Sequence, residues 1–244
     1  MADRRQVLIT GGTSGIGAAL ARGFLSAGDR VLVLGNSRDE QLQFLQAADS
    51  QPDREQLSAE LLDVRDEAAI RETVARLTRI DILINAAGMI RRGGAEFEPA
   101  GFADVLDVNL TGTLRMSAAC REQLARNGGC ILNIASMLTF FGSGVAPAYS
   151  ASKGGIGQLT KSLAIAWAGQ GIRVNALAPG WIRTPLTQPL RDDPAKTQRI
   201  MDRTPLGRWG ETDEMIGPAL FLCSPAASFI TGAILPVDGG YSIS

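Results

Sequence analysis

The stretch Val7-Leu-Ile-Thr-Gly-Gly-Thr-Ser-Gly-Ile-Gly17 decides the fold of this chain. Residues 7–10 form a short apolar run that is typical of a buried strand, and the glycines after it allow a tight turn. The next residues begin a predicted helix, whose N-terminus offers free N–H donors and a positive dipole to a phosphate group. The stretch therefore predicts a strand–loop–helix unit that binds a pyrophosphate, although such turns also occur for structural reasons alone. No Gly-Lys-Ser or Gly-Lys-Thr follows, which argues against a Walker A loop.

Short apolar runs alternate with segments of helical period along the rest of the chain. In 156–167, for example, apolar side chains recur at three- and four-residue spacing and share one helix face. Such alternation predicts right-handed crossovers and an α/β, doubly wound Rossmann fold, with a parallel sheet of about seven strands and helices on both faces. The predicted strands are 7–10, 31–34, 61–62, 82–84, 131–134, 174–177 and 233–235.

The composition narrows the class of function. Among 244 residues, 24 are basic and 25 are acidic, a balance that predicts no nucleic-acid partner and no binding to an anionic membrane surface. Histidine is absent, which excludes Ser-His-Asp and Cys-His mechanisms and every His-ligated metal site, so we expect no metal. The three cysteines are sparse and no apolar run is long enough to cross a bilayer, so we expect a reduced, cytoplasmic protein with no membrane partner.

The domain organisation follows from the absence of any Pro/Gly/Ser-rich linker. We expect a single Rossmann-type domain over 1–244. One polar, irregular stretch, 185–214, interrupts the alternation of strands and helices. We interpret this stretch as a mobile lid over a substrate site, with a solvated surface excursion as the alternative.

Residues that follow the predicted strands carry the candidate chemistry, because ligands bind outside the carboxyl ends of parallel strands. Tyr149 and Lys153 are four residues apart and share one helix face. An ammonium beside the phenol favours the phenolate, so we expect the pKa of Tyr149 to fall from about 10 toward neutrality and the residue to exchange a proton with a carbonyl or alcohol. Ser136 follows a strand and can hold the substrate oxygen near the Tyr149 hydroxyl. Taken singly, each of these residues is more often a surface pair or a helix cap.

Together these motifs resemble those of the short-chain dehydrogenase/reductase family over essentially the whole chain. Thr10-Gly-Gly-Thr-Ser-Gly-Ile-Gly17 resembles the nucleotide loop of that family, and Asn85-Ala-Ala-Gly88 resembles its Asn-Asn-Ala-Gly motif, with Ala86 in place of the second Asn. The resemblance implies an NAD(P)-dependent oxidoreductase that transfers a hydride between nicotinamide and a carbonyl or secondary alcohol. The implied catalytic residues are Asn109, Ser136, Tyr149 and Lys153.

The resemblance also implies a set of cofactor-binding residues. Within this set, Asp63 is expected beside the adenine, Lys153 at the nicotinamide ribose and Thr184 on the nicotinamide side. The set comprises Gly11, Thr13, Ser14, Gly15, Ile16, Gly17, Asn36, Ser37, Arg38, Asp63, Val64, Asn85, Ala86, Gly88, Tyr149, Lys153, Pro179, Gly180, Ile182 and Thr184.

The end of the second predicted strand bears on the choice between NAD and NADP. NAD enzymes of this architecture place an acidic residue there to bind the ribose 2′-hydroxyl, and this chain has Gly35. The absence of an acid removes repulsion against a 2′-phosphate, and Asn36, Ser37 and Arg38 can donate hydrogen bonds to one. These features favour NADP. NAD remains the alternative, because Ser14 stands where NADP-preferring relatives often carry a basic residue.

Three further stretches narrow the resemblance to the sugar-acid branch, which includes 2-dehydro-3-deoxy-D-gluconate 5-dehydrogenase and gluconate 5-dehydrogenase. They are Ala87-Gly-Met-Ile-Arg-Arg92, Asn133-Ile-Ala-Ser-Met-Leu138 and Thr204-Pro-Leu-Gly-Arg-Trp-Gly210. Arg91 and Arg92 follow a strand end, where a guanidinium can hold a carboxylate through two hydrogen bonds. The alternative places both arginines in solvent or against a neighbouring subunit. Met137 and Trp181 are further candidates for the walls of a substrate pocket.

Two other functions remain open at this point. A 3-oxoacyl reductase, or a reductase of polyols or other carbonyl compounds, would share the catalytic residues and differ in its pocket. A non-catalytic nucleotide-binding protein is the alternative from another class, against which intact Ser136, Tyr149 and Lys153 argue. The resemblance also implies a homotetramer that pairs the helices around 100–126 and 148–169 and packs the C-terminal strands together.

Overall fold

The sheet that the sequence predicts is present in the structure. A computed structural model describes residues 4–49 and 53–244 of the chain. In these residues the strands are β1 (Gln6–Thr10), β2 (Arg30–Gly35), β3 (Leu57–Leu61), β4 (Ile82–Asn85), β5 (Cys130–Ile134), β6 (Arg173–Pro179) and β7 (Ile234–Val237). They pair in parallel in the order β3-β2-β1-β4-β5-β6-β7, which confirms the doubly wound Rossmann fold.

Helices connect the strands throughout the described ranges. They are α1 (Gly15–Ser26), α2 (Arg38–Ala48), α3 (Glu67–Arg76), α4 (Pro99–Leu106), α5 (Gly112–Asn127), α6 (Pro147–Trp167), α7 (Gln188–Arg191), α8 (Pro194–Asp202) and α9 (Ile216–Leu222). A single π-helical turn, Asp107–Thr111, joins α4 to α5. None of the helices found in 4–49 and 53–244 has the length and apolarity that a membrane span requires.

The polar stretch 185–214 is more ordered than its sequence predicts. It contains α7 and α8, so the expectation of an irregular segment is corrected. Asp193 is the N-cap of α8, and its side chain accepts hydrogen bonds from the N–H groups of Ala195 and Lys196, both at 3.1 Å. A capping Asp followed by Pro is a strong helix start, which offsets the low apolar content of the segment.

Two hydrophobic clusters cover the two faces of the sheet. Successive strand residues point to opposite faces. Val7 and Ile9 therefore pack in one cluster with Phe24 of α1, whereas Leu8 packs in the other cluster with Met116 of α5. Because both faces of the central strands are buried, these strands are continuous apolar runs rather than alternating ones.

The third strand differs from its prediction. β3 covers Leu57–Leu61, before the predicted 61–62, and Leu61 is 44% exposed. β3 lies at the edge of the described sheet and contains Ser58 and Glu60, so it lacks the apolar run that located the other strands. The other six predicted strands overlap the observed ones and are confirmed.

The direction of the strand order reverses between β1 and β4. The chain moves outward from β1 to β2 and β3, and it then returns to β4 on the other side of β1. At such a point the loops after the two adjacent strands separate and a crevice opens at the carboxyl ends. The loops meet closely at its floor, because a Cβ added at Gly11 would lie 2.7 Å from the Cα of Ala87.

Candidate active site

A cleft of about 400 Å³ opens at this reversal of strand order. Its volume is in the range of small-molecule and cofactor sites. The predicted residues that line it are Gly11, Thr13, Ser14, Gly15, Ile16, Gly17, Asn36, Asp63, Val64, Ala86, Gly88, Tyr149, Lys153 and Thr184. Leu62, Met89, Val108, Ile134 and Leu186 add apolar walls that the sequence analysis did not include.

The glycine loop after β1 presents an uncapped helix N-terminus to the cleft. Gly11 has a φ of +63°, and a Cβ at Gly17 would lie 2.1 Å from the carbonyl oxygen of Gly11, so both positions need glycine. Ser14 precedes α1, yet among the described residues its side chain caps no N–H group and the first turn has no acidic residue. By contrast, Ser37 accepts a hydrogen bond in the first turn of α2. The first N–H groups of α1 therefore suit an anion in the cleft.

Three predicted catalytic side chains meet at one end of the cleft. Ser136 follows β5, and Tyr149 and Lys153 lie one turn apart on α6. The Ser136 hydroxyl lies close enough to the Tyr149 hydroxyl to lower its pKa. Lys153 Nζ lies 5.5 Å from the centre of the Tyr149 ring and donates to the carbonyl oxygen of Ile134 at 2.6 Å. The hydroxyl groups of Ser136 and Tyr149 and the buried amino group of Lys153 thus lie together at this end of the cleft.

Burial controls the electrostatics of these groups. It raises the pKa of Tyr149 to about 12, while the nearby Ser136 hydroxyl lowers this pKa by a smaller amount and the charge of Glu96 raises it further. Burial also lowers the pKa of Lys153 to about 8. The expectation that Lys153 brings the pKa of Tyr149 toward neutrality is therefore wrong for this structure, because desolvation of the phenolate has the larger effect. Tyr149 is protonated at neutral pH and is ready to donate.

Asn109 lies in the π-helical turn, a feature that frequently marks functional sites. Its Oδ1 accepts from the N–H of Met89 at 2.8 Å, and its Nδ2 donates to the carbonyl oxygen of Met89 and to Ser152 Oγ, both at 3.0 Å. A Cβ added at Gly88 would lie 3.5 Å from Asn109 Oδ1 and 3.8 Å from Lys153 Nζ. Asn109 therefore ties the loop after β4 to α6 next to Lys153.

Glu96 is a candidate that the sequence analysis missed. Its side chain is buried, with the residue 1% exposed. Oε1 accepts from the N–H of Arg91 at 2.9 Å, and Oε2 accepts from the N–H of Tyr149 at 2.9 Å. The carboxylate lies at the N-terminus of α6, where the helix dipole favours a negative charge. Glu96 thereby fixes the start of the helix that carries the phenol, and no periodic pattern or motif in the sequence marks it.

Charged side chains gather at the other end of the cleft. Arg65 lines the cleft and was not predicted, and it donates to Asp63 at 2.6 Å and to Asp104 at 3.0 Å. The guanidinium of Arg65 holds the pKa of Asp63 below its usual range. Arg91, a predicted substrate residue, donates through Nε to the same Asp104 at 2.8 Å. Both arginines are therefore engaged in ion pairs with carboxylates.

Some predicted cofactor residues are placed away from the cleft lining. They are Ser37, Arg38, Asn85, Pro179, Gly180 and Ile182. The Asn85 amide is buried and donates to Asn133 Oδ1 at 2.9 Å, so it joins β4 to β5. A Cβ at Gly180 would lie 2.6 Å from the Cα of Asp238, so this glycine admits the backbone after β7. In this structure Ser37 caps α2 and Arg38 is exposed.

The predicted substrate residues lie around the cleft rather than on its walls. Met137 is 5% exposed, packs in the hydrophobic core and lies outside the cleft lining. Trp181 packs edge-on against Trp209, at 5.8 Å between ring centres, and lines a separate cavity of about 120 Å³. Arg92 donates to the carbonyl oxygen of Leu186 at 2.6 Å. Because Leu186 lines the cleft, Arg92 lies near its rim.

Comparisons with known proteins agree with this geometry. A sequence model of the family described as enoyl-(acyl carrier protein) reductase matches residues 11–242. The 2-dehydro-3-deoxy-D-gluconate 5-dehydrogenase of Bacillus subtilis (strain 168) is 41% identical over 242 residues, which cover 97% of this chain and 94% of that protein. This chain belongs to the short-chain dehydrogenase/reductase family.

Two other members of the short-chain dehydrogenase/reductase family extend the comparison. Galactitol 2-dehydrogenase (L-tagatose-forming) of Cereibacter sphaeroides is 39% identical over 247 residues, which cover 96% of this chain and 94% of that protein. A solved gluconate 5-dehydrogenase from Burkholderia cenocepacia J2315, in complex with NADP and tartrate, has a TM-score of 0.89 and 35% identity and covers 99% of this chain and 96% of its own. As a short-chain dehydrogenase/reductase, this chain is an NAD(P)-dependent oxidoreductase that acts on CH–OH groups.

The cleft fits the dinucleotide coenzyme of a short-chain dehydrogenase/reductase. The uncapped N-terminus of α1 offers N–H donors to a pyrophosphate, and no acidic side chain of its first turn, as described, opposes one. A Cβ at Gly15 would lie 3.6 Å from Thr184 Cβ, so the segment after β6 closes against the glycine loop. Gly88 and Lys153 line the cleft side by side, because a Cβ added at Gly88 would lie 3.8 Å from Lys153 Nζ.

Proposed function

We propose that this chain interconverts a secondary alcohol and the corresponding ketone of a sugar acid, with Tyr149 as general acid and base. The observation that carries the proposal is that Ser136, Tyr149 and Lys153 lie together at one end of the cleft, with Lys153 Nζ 5.5 Å from the centre of the Tyr149 ring. The names of the relatives support the substrate class, since two are dehydrogenases of sugar acids and one is a dehydrogenase of a sugar alcohol.

The side chains divide the chemistry between them. The bound coenzyme supplies the hydride in reduction and accepts it in oxidation. In reduction, Tyr149 donates its phenolic proton to the carbonyl oxygen of the substrate, which becomes the hydroxyl of the alcohol. Ser136 donates a hydrogen bond to the same oxygen and holds it beside Tyr149. Lys153, when protonated, stabilises the phenolate that remains, and in oxidation the proton moves the opposite way.

The same proposal assigns the coenzyme to the residues of the cleft. The N–H groups of 15–17 would hold the pyrophosphate, and Asp63 would lie beside the adenine. Lys153 would hold the nicotinamide ribose, and Thr184 would contact the nicotinamide side. Asn109 keeps the loop after β4 in register with α6 through its hydrogen bonds to Met89 and Ser152.

Of the two predicted arginines, Arg92 is the better candidate to bind a substrate carboxylate. Arg91 pairs with Asp104, and a substrate would have to displace that carboxylate. The bond that Arg92 makes goes to the neutral carbonyl of Leu186, and a guanidinium binds a carboxylate more strongly, through two parallel hydrogen bonds. Leu186 belongs to the stretch 185–214. If Arg92 left the carbonyl oxygen of Leu186 to bind a substrate carboxylate, this stretch would be free to move as a lid.

The test follows the absorbance of reduced coenzyme with 5-keto-gluconate, and with L-tagatose and a 3-oxoacyl thioester as controls. We expect the keto acid to be reduced and the KM for it to rise about tenfold in Arg92→Ala, since a charge-assisted hydrogen bond is lost. Arg91→Ala is the matched control and should keep the wild-type KM. Failure of the keto acid to react, while both coenzymes bind, would contradict the sugar-acid assignment.

A sugar alcohol is the second candidate substrate, and the similarity to galactitol 2-dehydrogenase favours it. A sugar alcohol has no carboxylate, so Arg92→Ala should leave its turnover unchanged. Faster turnover of L-tagatose than of the keto acid would select this candidate. Faster turnover of the thioester would select a 3-oxoacyl reductase instead.

We further propose that the protein is a cytoplasmic homotetramer with a single domain. Large apolar side chains are exposed on the outer surface, among them Ile165 on α6 and Phe229 and Ile243 near the C-terminus. Exposed apolar groups of this kind are typical of subunit interfaces. All three cysteine thiols are free and buried, which fits a reducing compartment. Light scattering measures the mass of the assembly, and a monomer would contradict the proposal.

A further inference from the structure

The carboxyl end of β2 is where dinucleotide-binding folds distinguish NAD from NADP. Gly35 occupies this position and lines the cleft. A Cβ added at Gly35 would lie 2.6 Å from Thr13 Oγ1 and 2.9 Å from Thr13 Cγ2. The buried side chain of Thr13 therefore fills the space that an acidic side chain would need at this position.

An acidic group reaches the same place from another element. Glu40, the third residue of α2, lines the cleft together with Gly35 and Asn36. Its Oε2 accepts a hydrogen bond from Thr13 Oγ1 at 3.2 Å. The backbone N–H of Glu40 donates to the capping Ser37 Oγ at 3.3 Å, which fixes the start of the helix under the carboxylate.

The cations near this end of the cleft do not offset the charge of Glu40. Arg65 lines the cleft, but its guanidinium is shared between Asp63 and Asp104. Arg38 is exposed on the first turn of α2 and lies outside the cleft lining. A second phosphate placed beside Gly35 would therefore meet a carboxylate before it met an uncommitted cation, and like charges at short range repel.

We propose that Glu40 selects the coenzyme: its carboxylate accepts a hydrogen bond from the ribose 2′-hydroxyl of NAD and repels the 2′-phosphate of NADP. Thr13 is the positioning residue that directs the carboxylate toward the cleft. Gly35 stands where the usual acidic residue would be. Its lack of a side chain leaves space for Thr13, which holds Glu40 as the replacement acid. From the sequence alone, the absence of an acid at position 35 favours NADP. The contact between Thr13 and Glu40, which are 27 residues apart in the chain, compensates for this absence.

Binding of reduced coenzyme tests the proposal without any sugar substrate. NADH and NADPH are titrated into wild-type protein, Glu40→Gln and Asp39→Asn, with nicotinamide fluorescence as the readout. We expect the wild type to bind NADH at least about tenfold more tightly than NADPH, which corresponds to one lost charge-assisted contact or more. Glu40→Gln should abolish most of this preference for NADH, chiefly because NADPH should bind more tightly. Asp39→Asn removes a neighbouring exposed acid on the same turn and should leave the ratio unchanged.

Two results would overturn the proposal. One is a wild-type protein that binds NADPH as tightly as NADH, and the other is a Glu40→Gln protein with the wild-type ratio. Thr13→Val supplies a second measurement that leaves the charge in place. It removes the hydroxyl that orients Glu40 and should reduce the ratio by a smaller factor. Because no sugar is present, failure here is distinct from failure of the sugar-acid assignment.

Discussion

The two sides of the cleft are built in opposite ways. On the side of β4 to β6, Asn109, Glu96 and Lys153 are buried, and each is held by hydrogen bonds to the main chain. On the side of β1 to β3, Glu40 and Arg65 are exposed and are held by other side chains. A proton-transfer site needs fixed atoms and low hydration, whereas coenzyme discrimination needs only a charge of the right sign at the right distance. The difference predicts that substitutions cost far more on the first side.

The largest effect is expected at Tyr149. Tyr149→Phe removes the phenolic hydroxyl beside Ser136, and kcat should fall by roughly 10²–10⁴-fold because the general acid is lost. NADH binding should remain, since the ring and Lys153 stay in place. Steady-state kinetics and coenzyme titration measure the two quantities. Tyr241→Phe, at the only other tyrosine in the chain, is the control, and an active Tyr149→Phe would refute the assignment.

A smaller effect is expected at Glu96, and Glu40 offers a matched comparison on the opposite side. Glu96→Gln leaves one of two buried N–H groups without an oxygen acceptor, so the free energy of unfolding should fall by about 1–3 kcal/mol. Glu40→Gln, at an exposed position, should change it by less than about 0.5 kcal/mol. Urea unfolding of both variants gives the comparison. Equal changes in the free energy of unfolding of Glu96→Gln and Glu40→Gln would contradict the predicted contrast between the two sides of the cleft.

The smallest effect is a pH dependence that arises from Lys153. Its pKa is about 8 in the folded protein and 10.5 for the free side chain, so the unfolded state binds the proton more tightly. Stability therefore rises with pH across this interval, by about 1 kcal/mol between pH 7 and pH 9. Urea unfolding at the two pH values measures the change, and Lys153→Met should lack this contribution. The same slope in both proteins would show that Lys153 is charged when folded.

The sequence predicted the residues whose places follow from local geometry. Tyr149 and Lys153 lie one turn apart on a single helix, and Ser136 follows a strand end, so periodicity and strand order place them together. Glu96 and Tyr149 are 53 residues apart, and only the packed structure shows their contact. Glu40 and Thr13 are likewise joined only when α2 folds against the glycine loop.

The differences between the expectations and the structure have physical causes of the same kind. The pKa of Tyr149 could not be estimated from the presence of Lys153, because the extent of burial is a property of the whole fold. Met137 follows Ser136 at the site, yet its side chain turns into the core. Arg91 has the right position for a carboxylate ligand, but Asp104 from α4 reaches it first. Each outcome depends on packing between segments, which the sequence alone does not show.

The π-helical turn at Asp107–Thr111 constrains the length of the chain rather than its composition. Such a turn holds one residue more than the α-helical turn it replaces. Deleting one residue there would restore a regular helix and leave α4 and α5 in nearly the same relative orientation, but it would remove the local bulge that places Asn109. The sheet and both hydrophobic clusters would survive, but Asn109 and Met89 would no longer share a register. Frame-preserving deletions at this point would therefore yield a folded protein without a functional site, an outcome that residue-by-residue substitution would not reveal.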